Sequence, residues 1–315
     1  MLAATRLTPS DFILPLFVRA GSGVKLPIKS MPGVHQFSPD TAVDELKRMA
    51  SLGVAGYILF GVTDASRKDA TGTHAHNDRN EVCTTLKRAK DAGVQMLAIT
   101  DLCYCEYTDH GHCGPLTTQH GVKSVDNDRT AQMLGEQAVI HARSGADIVA
   151  PSGMMDNMVA SIRAALDADN RRETAILSYA VKYASSFYGP FRDAAESPPQ
   201  FGDRKTYQMD FRRAEGEALR EAQIDIDQGA DMIMVKPGVP YLDVLKSVTD
   251  KIAAPRGVPT SAYHVSGEYA MLKAAAANGW IDERGTVLET MHAFKRAGAS
   301  FVLTYYAGQL AEWLQ

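Results

Sequence analysis

The sequence contains no long hydrophobic run. No apolar stretch approaches the roughly 18 residues that a membrane-spanning helix needs. The first eleven residues include Arg6 and Asp11 and lack the apolar core of a secretory signal. We therefore expect a cytoplasmic protein that does not associate with membranes.

An excess of positive charge is also missing. The 315 residues include 33 Lys and Arg against 37 Asp and Glu, which gives a net charge of −4. A surface that binds nucleic acid would be basic, so we expect no nucleic-acid partner. The 45% of apolar residues and 22% of charged residues are typical of a soluble globular protein.

Cysteine is rare and unevenly placed. Cys83 stands alone, whereas Cys103, Cys105 and Cys113 fall within eleven residues. In a chain without an export signal, such clustering favours metal binding over disulfides. We expect Cys83 to be a small buried residue.

One pattern recurs along the chain and predicts its fold. Several helix-like segments end in a glycine, which is followed by a small or branched residue and then by an apolar run. Glycine adopts the left-handed conformation that is common at helix ends without strain. Each run is too short for a helix and predicts a strand that is buried on both faces. The glycines that begin these runs are Gly53, Gly93, Gly145, Gly229 and Gly298.

Three more apolar runs bring the number of predicted strands to eight. They cover residues 12–18, 175–181 and 260–266, and helical segments separate most of the strands. This alternation predicts an α/β fold, a (β/α)8 TIM barrel, in residues 12–315. The alternative is an open doubly wound sheet, but no Gly-x-Gly-x-x-Gly turn follows a strand. Residues 185–210, called the lid segment here, interrupt the repeat and predict either an active-site lid or a solvated loop.

The predicted strand ends carry reactive side chains. In a barrel the carboxyl ends of the strands meet at one mouth, where active sites lie. A lysine at the end of a buried strand is pushed towards its neutral form, which is the nucleophile that attacks a ketone. The alternative for each lysine is a surface cation with a packed stem. The residues at these strand ends are Asp101, Ser152, Lys182, Lys236, Ser266 and Tyr305.

The cysteine cluster predicts a metal site. Three thiolates from Cys103, Cys105 and Cys113 plus one water would form a tetrahedral zinc site with an open position, as catalytic sites have. His110 and His112 are candidates for a further ligand or for groups that support the ligands. The alternative is three unpaired thiols, one or two of them in the core.

Together these residues resemble the porphobilinogen synthase family, also called 5-aminolevulinate dehydratases. Val235-Lys-Pro-Gly238 and Phe187-Tyr-Gly-Pro-Phe-Arg192 are highly specific in combination, and the resemblance spans nearly the whole chain. The other matching segments are residues 12–18, 101–114, 150–156, 178–194, 201–208, 234–243, 263–270 and 304–306.

The resemblance implies a hydro-lyase. The family condenses two molecules of 5-aminolevulinate into porphobilinogen with loss of two waters, an early step of tetrapyrrole (heme and chlorophyll) biosynthesis. Carried over by position, Lys236 would hold the first substrate, on the propionate side, and Lys182 the second, on the acetate side. Asp101 would be an acid–base or orienting group. The implied substrate-binding residues are Ser266 and Tyr305 for the first carboxylate, Arg192, Arg204 and Gln208 for the second, and Tyr188 and Phe191 as pocket walls.

The resemblance also implies cofactors and an assembly. The three clustered cysteines match the zinc-dependent branch of the family. Glu221 stands where some bacterial members hold an allosteric Mg²⁺ through water, and an exposed helical glutamate is the alternative. Residues 1–11 correspond to a shortened N-terminal arm. The family typically forms homo-octamers and also smaller assemblies. The resemblance therefore implies an octamer, and because the arm is short a hexamer or a dimer is the alternative.

Two other functions compete with this prediction. A class I aldolase-type barrel enzyme would also form a Schiff base, but it would need one lysine and no metal. A binding protein with a structural zinc ion would have four protein ligands and a closed site. The second lysine and the three-cysteine set favour the dehydratase.

Overall fold

A computed structural model describes residues 2–119, 121–213 and 215–315. The strands in this part of the chain are β1 (Phe12–Arg19), β2 (Lys25–Pro27), β3 (His35–Phe37), β4 (Gly56–Val62), β5 (Leu97–Leu102), β6 (Leu116–Gln119), β7 (Val122–Val125), β8 (Ile148–Pro151), β9 (Ala175–Lys182), β10 (Met232–Lys236), β11 (Thr260–His264) and β12 (Phe301–Thr304). The α-helices are α1 (Pro39–Ser51), α2 (Glu81–Asp91), α3 (Asn127–Ser144), α4 (Met158–Ala168), α5 (Gly189–Ala194), α6 (Glu215–Asp227), α7 (Leu242–Val248), α8 (Ser266–Ala277), α9 (Glu283–Arg296) and α10 (Ala307–Trp313).

Eight parallel strands of the described ranges close into a barrel. Their order is β1, β4, β5, β8, β9, β10, β11 and β12, and β12 pairs back onto β1 with Phe12 beside Val302. The predicted (β/α)8 barrel is therefore confirmed, and an open sheet is excluded. The last predicted run, 260–266, is too long, because β11 ends at His264 and Ser266 begins α8.

The local sequence explains how the elements begin and end. The five recurrent glycines all have positive φ, from 68° to 110°, and Gly145 is the left-handed residue that ends α3. Asn80 caps α2 by accepting a hydrogen bond from the Cys83 backbone N–H at 2.8 Å. Helix α1 buries Val43, Leu46 and Met49 against the barrel, as their helical spacing predicts.

Two hairpins are added to the barrel. Strand β3 pairs with the end of β1, and β2 pairs antiparallel with β3. Strands β6 and β7 form a second hairpin between β5 and α3. Among the described residues, no helix is long and apolar enough to cross a membrane.

The lid segment lies across the carboxyl ends of the strands. It begins with a 3-10 turn, Ser186–Tyr188, continues as α5 and then runs without regular structure to residue 210. The lid segment is attached to β1 and β3. Gln36 Nε2 on β3 donates to the Ala194 carbonyl at 2.8 Å, and Arg19 Nη1 on β1 lies 3.5 Å from Glu196 Oε1. Several of its side chains are buried, so the segment is packed on the barrel and is not merely solvated.

Candidate active site

Two lysines end neighbouring strands. Lys182 is the last residue of β9 and Lys236 the last of β10, and they are register partners in this strand pair. Their exposed fractions are 5% and 6%. The ring of Tyr179 lies between them, with its centroid 5.5 Å from Lys182 Nζ and 5.0 Å from Lys236 Nζ. The structure thus brings both amines into one mouth.

A bulge in β9 explains why Tyr179 and Lys182 face the same interior. Ser178 pairs with Ile233 and Val181 with Val235, so β9 has one residue more than β10 in this interval. An extra residue changes the alternation of side chains along a strand. Sequence alternation alone could not predict this, and Tyr179 was therefore missed as a site residue.

Aromatic rings surround the Lys236 amine. The centroid of Tyr263 lies 4.3 Å from Lys236 Nζ, that of Tyr188 5.3 Å and that of Phe191 5.4 Å. Burial first, and then the neighbouring Lys182 charge, lower the pKa of Lys236 to about 7. Much of this lysine is therefore neutral near neutral pH, the form that attacks a ketone.

Asp101 lies beside the lysines and is held by a serine. Its Oδ2 accepts a hydrogen bond from Ser152 Oγ at 3.1 Å, and Lys182 Nζ donates to the Ser152 carbonyl at 2.5 Å. Asp101 Oδ1 is buried and has no hydrogen-bond partner. Burial and the Glu106 carboxylate raise the pKa of Asp101.

Glu106 is a buried acid that the sequence analysis missed. Its side chain is 3% exposed, and its Oε2 has no hydrogen-bond partner. One carboxylate oxygen lies within 4.8 Å of ligand atoms of Asp101 and Cys103. Burial raises the pKa of Glu106 to about 8, and Cys105 adds to the effect. Its place beside Cys105 was the only available signal.

The three clustered cysteines converge in space. Their Sγ atoms lie within 4.8 Å of one another, and Cys103 Sγ is 3.4 Å from Cys105 Sγ. All three are buried and none is in a disulfide. Hydrogen bonds among the thiols raise the pKa of Cys103 and lower that of Cys113. The isolated Cys83 is buried in α2, away from this cluster.

The two histidines of this loop face elsewhere. His110 Nε2 lies 3.2 Å from the Ala70 carbonyl, and its Nδ1 accepts from the His112 backbone N–H at 3.1 Å. Both ring nitrogens of His112 contact the lid segment. Within the described residues, neither histidine joins the cysteine set as a ligand. The set therefore has three protein donors.

Two arginines and a glutamine of the lid segment face a common cavity. Arg192, Arg204 and Gln208 line a cavity of about 700 Å³. The Nε atoms of both arginines and both amide atoms of Gln208 are buried without a hydrogen-bond partner. Burial and the nearby Arg204 charge lower the pKa of Arg192. Two like charges and an unsatisfied amide form a site suited to an anion.

The residues expected to bind the first carboxylate follow β11 and β12 in the chain. Ser266 Oγ accepts a hydrogen bond from the Phe191 backbone N–H at 3.0 Å. The hydroxyl oxygens of Tyr305 and Tyr263 are 3.2 Å apart. Ser266 and Tyr305 are nearly fully buried. Tyr263 was not predicted, although it lies on β11 three residues before Ser266.

Glu221 lies outside the catalytic mouth. It lines a separate cavity of about 460 Å³ together with Asp156 and Glu217. Gln208 lines this cavity as well as the one that holds the arginines. Burial and the Asp156 charge raise the pKa of Glu221, which is half-buried and not a fully solvated glutamate.

Comparisons with known proteins agree along the whole chain. The sequence model of the family "Delta-aminolevulinic acid dehydratase" matches residues 1–313. The delta-aminolevulinic acid dehydratase of Synechococcus elongatus is 50% identical over 317 residues, which cover 100% of this chain and 94% of that protein. The Bacillus subtilis protein of the same name is 48% identical over 314 residues, with the same coverage.

A solved structure is also similar. The delta-aminolevulinic acid dehydratase (porphobilinogen synthase) of Toxoplasma gondii, in complex with the reaction product porphobilinogen, superposes with a TM-score of 0.94 at 44% identity. The match covers 99% of this chain and 87% of that chain.

Proposed function

The chain belongs to the delta-aminolevulinic acid dehydratase family, and we propose that it makes porphobilinogen through Schiff bases on Lys182 and Lys236 beside a cysteine-bound zinc ion. The reaction is that of porphobilinogen synthase, a hydro-lyase, and not that of the class I aldolase alternative. It belongs to tetrapyrrole biosynthesis. The observation that carries the mechanism is the pair of buried lysines in register at one barrel mouth.

Each lysine can hold one ketone substrate. The neutral amine attacks the ketone carbon, and an imine forms as one water leaves. When the C–C and C–N bonds of the pyrrole ring form, both lysine nitrogens are released as amines. The sum is two substrates joined with two waters lost. Lys236 holds the first substrate and Lys182 the second.

The surroundings of Lys236 support its role. Four aromatic rings, those of Tyr179, Tyr188, Phe191 and Tyr263, have centroids within 5.4 Å of its Nζ and keep water away from it. Such an apolar wall disfavours the ammonium form and preserves the nucleophile. Asp101, held by Ser152, is placed to accept or return protons at the second substrate.

The cysteine set fits a zinc ion. Zn–S bonds are about 2.3 Å long, so three tetrahedral ligands have sulfurs just under 4 Å apart, and the present sulfurs lie within 4.8 Å. Three donors leave a fourth position open, which differs from a closed structural site. When bound, zinc supplies a Lewis acid or a water of lowered pKa beside the second substrate.

Separate sets of residues hold the two carboxylates. Ser266 and Tyr305 offer hydroxyl groups to the carboxylate of the first substrate. Arg192, Arg204 and Gln208 offer two guanidinium groups and an amide to that of the second, and their unpartnered nitrogen atoms support this use. Because these three come from the lid segment, we propose that it acts as an active-site lid.

The lowered pKa of Lys236 predicts the pH dependence of imine formation. The ammonium form is lost as pH rises through about 7, so trapping at Lys236 should increase about tenfold between pH 6 and pH 8 and then level off. The assay incubates the enzyme with 4-oxopentanoate, the substrate without its amino group, and cyanoborohydride, and measures labelled Lys236 by mass spectrometry. A rise of about 100-fold that continues past pH 9, as for an ordinary lysine, contradicts this prediction.

Replacement of Arg192 tests the second carboxylate site. Arg192→Met removes a charged hydrogen-bond donor, so KM for 5-aminolevulinate is expected to rise about 10- to 100-fold. Arg212→Met is the matched control, because Arg212 is exposed and paired with Asp210. The assay measures porphobilinogen formation against substrate concentration. An unchanged KM in the Arg192 variant contradicts the assignment.

We propose Glu221 as the acid that holds an allosteric Mg²⁺ through water. Its cavity also contains Asp156 and Glu217, and Glu217 Oε2 is buried without a partner. Hydrated Mg²⁺ needs few protein ligands. Gln208, shared by both cavities, connects this site to the lid. Glu221→Ala should remove any stimulation of porphobilinogen formation by Mg²⁺. Glu173→Ala, which changes an exposed glutamate outside this cavity, should keep the stimulation. Stimulation that survives in the Glu221 variant rules the site out.

We also propose a homo-oligomer that works in the cytoplasm. Met271 on α8 and Trp280 just after it are 59% and 76% exposed and offer apolar side chains to a second copy of the chain. Four free cysteines fit a reducing compartment. Light scattering on the purified protein tests the assembly, and a single-chain mass at micromolar concentration speaks against it.

A further inference from the structure

Part of the lid segment is attached to the loop that carries the metal ligands. The lid strap is defined here as residues 197–208, and the cysteine loop as residues 108–113, which ends at Cys113. Arg204 Nη2 donates to the Gly111 carbonyl at 2.8 Å, and the Gln200 backbone N–H donates to the His110 carbonyl at 3.0 Å. The lid strap thus donates hydrogen bonds to two main-chain carbonyls of the cysteine loop.

His112 makes this attachment specific. Its Nε2 lies 3.1 Å from the Phe201 carbonyl and its Nδ1 3.1 Å from the Tyr207 hydroxyl, while its ring packs on Phe201 with centroids 4.4 Å apart. A carbonyl can only accept, so Nε2 carries a hydrogen, and in the neutral ring Nδ1 accepts from the Tyr207 hydroxyl. His112, which is adjacent to Cys113, therefore contacts the lid strap through both ring nitrogens.

Tyr207 completes the connection. Its ring packs against the cluster of Cys103, Cys105 and Cys113. In the chain, Tyr207 lies between Arg204 and Gln208, which are assigned to the second carboxylate. The Arg204 carbonyl accepts hydrogen bonds from the Tyr207 and Gln208 backbone N–H groups at 3.3 and 2.9 Å. Arg204 and Gln208 are thus held in one turn that is anchored on the sulfur atoms by Tyr207.

We propose that His112 and Tyr207 are positioning residues that fix the Arg204–Gln208 turn on the cysteine loop, so that metal binding and recognition of the second carboxylate strengthen each other. This inference rests on the proposed function, which assigns the cysteines to zinc and the turn to substrate. Neither residue contacts the reacting atoms in this role. Coupling of this kind is reciprocal, so zinc should order the strap and an ordered strap should favour zinc.

The test uses the full-length enzyme and three variants. Tyr207→Phe keeps the ring and removes the hydroxyl, His112→Ala removes both contacts, and His112→Asn can restore the acceptor for Tyr207. KM for 5-aminolevulinate is expected to rise about 5- to 10-fold in the first two variants, the effect of one hydrogen bond, while kcat stays within about twofold. His112→Asn should recover part of the loss. Tyr57→Phe, at the opposite end of the barrel, is the control.

Hydrogen exchange supplies a readout that does not depend on activity. In the wild type, zinc should slow backbone exchange of peptides from residues 197–208 about fivefold relative to the chelated enzyme. This protection should fall below about twofold in Tyr207→Phe at full zinc content, with exchange in α9 unchanged. Trapping of 4-oxopentanoate on Lys236 shows that each variant is folded.

The outcomes separate this inference from the proposed function. If the wild type and Tyr207→Phe bind zinc and show equal protection and equal KM, the positioning role is wrong and the zinc site stands. If the wild type binds zinc without any protection of the strap, the coupling is likewise overturned. If the wild type binds no zinc, the metal assignment fails, and an unchanged KM in Tyr207→Phe then also removes the positioning role.

Discussion

Replacement of Lys236 by methionine is expected to lower the rate of porphobilinogen formation by at least about 10⁴-fold, the scale of loss for a covalent nucleophile. Lys236 ends β10, and its buried, ring-lined surroundings keep much of its amine neutral near pH 7. Methionine is unbranched and of similar length, so packing among the surrounding rings is preserved. The measurement is a colour assay for porphobilinogen with purified enzyme.

A surface lysine provides the control for this loss. Lys246 lies on α7, is about half exposed and pairs with Asp250. Lys246→Met should keep wild-type activity, and circular dichroism should show the same barrel in both variants. Substantial porphobilinogen production by the Lys236 variant would mean that the reaction does not pass through this amine.

Removal of the metal is the second large effect. A chelator is expected to reduce activity more than about 100-fold, and zinc should restore it, because the proposed zinc ion would activate a group at the second substrate. Cys113→Ser should lose both bound zinc and activity, since a three-ligand site has no spare donor. Zinc content is measured by atomic emission on desalted protein.

Cys83 is the matched control for this experiment. It is a buried free cysteine outside the cluster, so Cys83→Ala should keep zinc and most activity. Full activity of the wild type after exhaustive chelation would remove the cysteines from the mechanism. Retention of one zinc per chain by Cys113→Ser would instead show that the ion is held by other residues.

The barrel and its two lysines could be predicted because both depend on short-range patterns. The recurrent glycines and apolar runs predict the strands, and residues at strand ends meet at one mouth in any barrel. The lysines at the ends of β9 and β10 follow directly from this rule. Three cysteines within one short loop predict a shared site because they are close to one another in the sequence.

The rest of the site depends on contacts between distant segments. Tyr179 faces the lysines only because a bulge shifts the register of β9, and a bulge has no clear sequence signal. His112 was a candidate ligand, but its ring faces Phe201 and Tyr207, about ninety residues further along the chain. Glu106 gave no signal except its place next to Cys105.

The most direct test of two lysines acting together is to locate the trapped substrate. Wild-type enzyme is mixed with 5-aminolevulinate, reduced with borohydride and digested, and the labelled peptides are identified by mass spectrometry. If both lysines hold substrate, label is expected on both Lys182 and Lys236 in the wild type, and on Lys236 alone in Lys182→Met. Label on a single lysine at saturating substrate, or on neither, would contradict this expectation.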